Sequence, residues 1–298
     1  MAELKGRSGP SAASGGASRT AASSVDVKDS AGSARPSTVS AELGPLPGKV
    51  SLQGDGTVVI PALDEERAIR AVVEEALRHV GRVIVVDDGS RDRTSAVIAD
   101  LPIERIRHET PLGKAKALQD GFRRAVELGA DGVLTMDGDG QHSAADLPRL
   151  LAASKQYPDC IVIGARLRSK DAQPGKNRIG NQQADFWVSW ACGQRVVDSQ
   201  SGQRFYPRAV VDLALALPHV GFVFESEILI EAARHGIRAV SVPIESRYEE
   251  DRRASHFRPL RDVSKITRMI AWRLLRGGFM PRNYWRARTV PPIIVESV

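Results

Sequence analysis

From Thr57 onward, short β-branched runs alternate with stretches of helical periodicity, and that alternation commits the chain to a layered α/β fold. The runs Thr57–Ile60, Arg82–Val86, Ile103–Arg107, Gly132–Met136 and Cys160–Gly164 have strand length, whereas segments 65–80, 92–99, 114–128 and 144–156 space apolar residues three and four apart. The pattern predicts an open, mostly parallel sheet flanked by helices. In such a sheet the ligand crevice lies beyond the carboxyl ends of the strands. The polar residues that follow these runs are therefore the first candidates: Pro61, Asp64 and Glu65; Asp87, Asp88 and Ser90; Asp137 through His142; and Arg166. After about residue 170 the alternation gives way to longer helices at 181–192 and 225–235, then to an expected strand pair around 240–248 on the acceptor side.

Residues 1–54, rich in Ser, Ala, Gly and Pro, have too little apolar surface to offset ordering and read as a disordered tail. The remainder suits a globular domain over 55–260 and a basic, amphipathic C-terminal extension over 261–298. Two cysteines, Cys160 and Cys192, cannot build a disulfide framework or a cysteine-rich zinc site, so a reducing cytoplasm is expected. No apolar run reaches the ~18–20 residues needed to cross a bilayer, and the N-terminus shows no secretory pattern. The net charge of +6 is uneven, because residues 247–288 hold twelve Lys/Arg against four Asp/Glu. Such a segment attracts anions: lipid phosphates, diphosphates or nucleic acid.

Asp137 and Asp139 end an apolar strand one glycine apart, so one turn can aim both carboxylates at a single point while Gln141 adds an amide oxygen. Hard oxygen donors in an incomplete cage suit Mg²⁺ or Mn²⁺ bridging a diphosphate. The same tetrapeptide also makes an ordinary exposed turn. An EF-hand ranks below that turn, because Pro148 stands where the loop's bidentate glutamate belongs. Asp87 and Asp88 can accept hydrogen bonds from a base or ribose, or can simply cap the next helix. No Gly-x-Gly-x-x-Gly follows the first strand, and Pro111–Ala115 lacks Walker spacing.

Taken together, Val58–Glu66, Val85–Ser90, Gly113–Lys114 and Asp137–His142 resemble family 2 glycosyltransferases in order and spacing. Asp198–Arg204 and Ser255–Pro259 are similar to the dolichyl-phosphate mannose synthase branch and its bacterial relatives, and the likeness spans residues 57–270. The resemblance implies a GT-A type fold and transfer from a nucleotide-sugar donor, UDP- or GDP-hexose, with inversion. By residue it implies Pro61, Asp64 or Glu65, and Asp87 at the nucleoside; Asp88 and Lys114 within the nucleotide-sugar site; Arg166 and Arg178 at phosphates; Asp137, Asp139 and Gln141 at the metal; and Arg253 closing over the diphosphate or the acceptor phosphate. The implied acceptor is a polyprenyl phosphate or another lipid. Relatives often carry a lysine two residues after the glycine that Gly221 resembles, but Val223 stands there.

An anionic phosphate acceptor needs no general base, whereas a hydroxyl acceptor does, and Glu225 is the candidate; as a helix N-terminal residue it can equally be structural. The segment around Ile266–Arg276 permits a basic amphipathic helix lying peripherally on the cytoplasmic face of an anionic membrane, or a core-packed helix with a solvated basic face. A catalytically silent nucleotide-binding scaffold is the remaining alternative. Nucleic-acid binding is not expected, since no recognition motif accompanies the basic segment.

Overall fold

A computed structural model describes residues 56–168, 175–218, 223–245, 259–276 and 278–296, with the side chains of 175–179 and 259–266 outside it. The strands are β1 (Thr57–Ala62), β2 (Arg82–Asp87), β3 (Glu104–Arg107), β4 (Gly132–Thr135), β5 (Cys160–Ala165), β6 (Arg204–Pro207) and β7 (Arg238–Pro243). They form a single seven-stranded sheet in the order β3-β2-β1-β4-β6-β5-β7. Every pairing is parallel except those of β6, which runs antiparallel to both β4 and β5.

Register decides what meets at the sheet's edge. Ala62 lies beside Asp87, and Asp87 beside Arg107, so β1, β2 and β3 end level. The Met136 amide donates to Val59, which extends β4 to the same edge. Because β6 is antiparallel, its first residue, Arg204, lies beside Thr135 at the end of β4. Residues 198–203 are thereby delivered to the edge where Asp137 emerges, with the Thr135 hydroxyl donating to the Gly202 carbonyl at 2.9 Å.

The helices in chain order are α1 (Ile69–Leu77), α2 (Thr94–Val97), α3 (Lys114–Glu127), α4 (Leu147–Gln156), α5 (Gly175–Cys192), α6 (Arg208–Ala216), α7 (Phe224–Arg234), α8 (Pro259–Arg276) and α9 (Pro281–Thr289). They cover both faces, as the period of two along the strands requires. Val59, Ile84 and Val86 point into a core shared with α3, α5, α6 and α7. Val58, Ile60, Val83 and Val85 point into a second core under α1 and α4. Among the described residues no helix is long and apolar enough to cross a membrane.

Three expectations change. The segment 92–99 forms only the short helix α2, because side chains at its start bind the β1 loop instead: Thr94 Oγ1 accepts from the Glu65 amide at 2.8 Å. The strand pair around 240–248 is replaced by β7, which joins the main sheet alongside β5; residues 246–248 lie outside the described residues. Strand β6 was not anticipated, since Arg204-Phe205-Tyr206-Pro207 opens on a charge and ends on a proline and has no β-branched run.

Helix α3 comes unusually close to β1. A methyl group at Gly121 would run into the Val59 side chain in the buried core, so only glycine admits this approach. Gly121→Ala should therefore cost about 1–3 kcal/mol in denaturant unfolding despite alanine's better helix propensity. Unchanged or raised stability would show that α3 has room to retreat.

Candidate functional site

The loop after β1 and the end of β2 form one unit. Asp64, at φ 56°, accepts the Arg91 amide at 2.8 Å, while its own amide donates to Ser90 Oγ at 2.9 Å. The Glu65 amide is held by Thr94, and Pro61, next to last in β1, lies beside Val86. Asp87, buried, accepts from the Ser90 amide at 2.8 Å and from the Ser95 hydroxyl, and Arg107 Nη1 stands 3.2 Å from its Oδ2.

Asp88 turns the other way. Its Oδ1 accepts from the Leu112 amide and its Oδ2 from the Gly113 amide, both at 2.8 Å, and His108 Nδ1 lies 2.7 Å from Oδ1. The carboxylate thus clamps the loop that leads into α3. Gly113, at φ 96°, makes the final bend, and Lys114 is the first residue of the helix.

Lys114 joins two carboxylates from distant parts of the chain: its Nζ lies 2.7 Å from Asp137 Oδ1 and 3.1 Å from Glu225 Oε2. Asp137 follows β4, and Glu225 opens α7. Burial works to raise the Asp137 carboxyl, but the positive field of Lys114 holds it below the usual carboxylate range. Burial likewise disfavours the Lys114 ammonium, and the two carboxylates outweigh it and raise its pKa. Gly202 lies beneath Asp137, so close that a methyl group there would strike the carboxylate. Two residues on, Asp139 Oδ1 accepts the Gln141 amide at 2.9 Å and keeps Gln141 beside it.

A second charged group adjoins the first. Arg166, just past β5, grips Asp198 as a fork, with Nε 2.7 Å from Oδ2 and Nη2 2.6 Å from Oδ1. Asp198 sits at φ 54°, and its amide and that of Ser199 donate to Asp185 of α5 at 3.1 and 2.7 Å. Burial, reinforced by the charge of Asp198, pushes the Asp185 carboxyl up to about 6. Arg204 is fully buried and donates to the carbonyls of Ser199 and Ser201 at 2.7 Å and of Glu225 at 3.0 Å. It therefore fastens the 198–202 turn to the start of α7. His142 is buried, its Nδ1 without a hydrogen-bond partner among the described residues, and burial outweighs the attraction of Asp137 to bring its pKa down to about 4.

The structure thus gathers Asp137, Lys114, Glu225 and Arg166 at one end of the sheet, with the Asp87 unit on the neighbouring strands. Arg178 lies on the first turns of α5 with its side chain outside the described residues, as is all of Arg253. Asp185 and Arg204 were not foreseen as parts of the site: Asp185 reads as a polar residue in a helix, and Arg204 was only one letter of a similar motif. Among the described residues no three His, Cys, Asp or Glu side chains converge as a metal cage. Two carboxylates and a carboxamide, those of Asp137, Asp139 and Gln141, lie on one turn after β4, and such hard oxygen donors are the chemistry that a Mg²⁺ or Mn²⁺ ion would take.

The family model described as "Glycosyl transferase family 2" matches residues 57–205. The UDP-N-acetylglucosamine–dolichyl-phosphate N-acetylglucosaminyltransferase of Methanococcus voltae is 31% identical over 219 residues, covering 65% of this chain and 86% of that protein. The undecaprenyl-phosphate mannosyltransferase of Micrococcus luteus is 34% identical, covering 54% and 70%. Mannosyl-3-phosphoglycerate synthase from Rubrobacter xylanophilus superposes with a TM-score of 0.58 at 20% identity, covering 76% and 75%. Glucosyl-3-phosphoglycerate synthase from Mycobacterium tuberculosis, crystallised with Mn²⁺, UDP-glucose and phosphoglyceric acid, gives 0.54 at 20% identity, covering 77% and 84%. The architecture is that of the GT-A glycosyltransferases.

The folded pKa of Asp185, about 6, lies above the ordinary aspartate value of 3.8, so the folded state retains the proton between those values and stability from this group is lost as pH rises through that window. The stability difference between Asp185→Asn and the parent should shift in the variant's favour by about 2–3 kcal/mol between acid and neutral pH. A pH-independent difference in denaturant melts would show that Asp185 titrates normally.

Proposed function

The chain belongs to glycosyl transferase family 2, and from that premise we propose that it moves a sugar, with inversion, from UDP- or GDP-hexose to a polyprenyl-phosphate or other lipid-linked acceptor. The observation that carries this reading is the convergence of Lys114, Asp137 and Glu225 at the sheet's carboxyl edge, with Asp139 and Gln141 on the same turn. One ammonium there faces two carboxylates, leaving negative charge that a divalent cation would offset, at the carboxyl edge where open α/β sheets take their ligands.

In this reading Pro61, Asp64, Glu65 and Asp87 form the nucleoside end. Asp88 contributes by fixing the loop that sets Lys114. Asp137, Asp139 and Gln141 hold a Mg²⁺ or Mn²⁺ ion, which when bound stabilises negative charge on the departing nucleoside diphosphate. Lys114 sits within reach of the same diphosphate and adds a positive charge in a partly buried setting, where it acts more strongly than in water. Arg166, Arg178 and Arg253 supply further cations along the phosphates, and Arg166 is oriented for this by Asp198.

Dolichyl and undecaprenyl phosphates appear in the names of the two sequence relatives, which supports a phosphate acceptor. Its oxygen is anionic, so no residue has to remove a proton. A hydroxyl acceptor is the second reading, and the placement of Glu225 favours it: Lys114 keeps its carboxylate beside Asp137, where a base would be needed.

Incubation with nucleotide sugars and Mn²⁺ or Mg²⁺, with polyprenyl phosphate and phosphoglycerate as separate acceptors, tests both. We expect product with the lipid phosphate, and a loss on the order of 100-fold or more in Asp139→Ala. Glu225→Gln separates the acceptors: a loss of about 10²–10⁴-fold marks a base for a hydroxyl, while a small change marks a phosphate nucleophile. Full metal-dependent transfer by Asp139→Ala would refute the assignment.

A further inference from the structure

Exposed apolar side chains are not scattered over this molecule. Of the seven large ones exposed among the described residues, five, namely Trp272, Leu275, Phe279, Trp285 and Val290, fall on α8, on α9 or beside them. Single exposed apolar residues are ordinary, but a concentration that includes three aromatic rings, two of them tryptophans, marks an interaction surface.

Helix α8 has two distinct faces. Ile270 and Leu274 are buried in the core shared with α5 and α7, and Arg273 reaches α7, where its Nη2 lies 3.3 Å from Glu227 Oε1 and its Nη1 3.5 Å from Glu231 Oε2. The core-packed helix foreseen from sequence is therefore present. The other face carries Arg268, Trp272, Leu275 and Arg276 at helical spacing, all exposed, with the Arg276 guanidinium over the Trp272 ring at 4.7 Å. Packing fixes the inner face and leaves this outer one with aromatic and cationic groups interleaved.

Charge is equally one-sided. Residues 263–295 contain seven Lys/Arg and no Asp or Glu, and Arg282, Arg286 and Arg288 of α9 are exposed like Trp285 between them. The only carboxylates met by α8 arginines among the described residues are those of α7, on the inner side.

We propose that the outer face of α8, the Phe279 turn and α9 form a docking surface for an anionic phospholipid bilayer. Tryptophans settle at the headgroup level, and arginine stems lie along apolar surface while their heads reach lipid phosphates. Exposed arginines interleaved with tryptophans, and no carboxylate anywhere in residues 263–295, match an anionic headgroup layer. It stands apart from the acceptor reading, although it would bring the enzyme to a lipid-linked substrate.

The test needs neither donor nor acceptor. The full chain is sedimented with phosphatidylcholine vesicles, with and without about 30% phosphatidylglycerol, at low and raised salt. The expected result is co-sedimentation with the anionic vesicles only, weakened by salt. The combined variant Trp272→Ser, Leu275→Ser, Trp285→Ser should bind at least about tenfold more weakly with an unchanged thermal melt. Arg268→Gln with Arg276→Gln and Arg282→Gln should lose the preference for anionic lipid. Wild-type protein left in the supernatant at low salt, or surface variants that bind as well as wild type, would overturn the proposal. Vesicle-independent self-association abolished by the same variants would assign the face to a second copy and overturn it as well.

Discussion

The partly buried ammonium of Lys114 between Asp137 and Glu225 is the interaction on which the site depends. It joins α3, the turn after β4 and the start of α7 at the carboxyl edge of the sheet. Losing any partner would leave a charge in a partly desolvated place, which costs far more than breaking a surface pair. Much of the surrounding structure serves to put this one nitrogen where it is. Asp88 binds the backbone of the preceding loop, Gly113 turns the chain into α3, and Gly121 lets that helix press against β1.

The antiparallel strand β6 does the complementary task. A further parallel strand beside β4 would have delivered its trailing end to the site, whereas β6 delivers the turn that precedes it. That turn supplies Gly202 beneath Asp137 and Asp198 for Arg166. Burying Arg204 there would be costly if its guanidinium were left unsatisfied. Carbonyls of Ser199, Ser201 and Glu225 take its hydrogens, so the charge becomes a staple between the turn and α7.

What the sequence disclosed follows from what is local. Parallel strands buried on both faces, such as β1 and β2, announce themselves by β-branched runs, and the rule that ligands gather past their ends directed attention to Asp87, Asp137 and Arg166 before any coordinates. β6 stayed hidden because its four residues include a charged one, buried only because carbonyls of the preceding turn and of α7 take its hydrogens. Helix α2 was overestimated because its threonine bonds to the β1 loop, a competition that periodicity cannot register. Asp185 was missed for the same reason: its role comes from two amides 13 and 14 residues away. The ion pair of Lys114 with Glu225, more than a hundred residues apart, is legible only in three dimensions.

Titration calorimetry of UDP and GDP against the wild type and Lys114→Met, with and without Mn²⁺, is the most direct test of whether this charge cluster is the diphosphate site. The account predicts that one nucleoside diphosphate binds the wild type in the presence of the metal, and that Lys114→Met weakens it by about tenfold or more. Metal-independent binding that Lys114→Met leaves unchanged would contradict it.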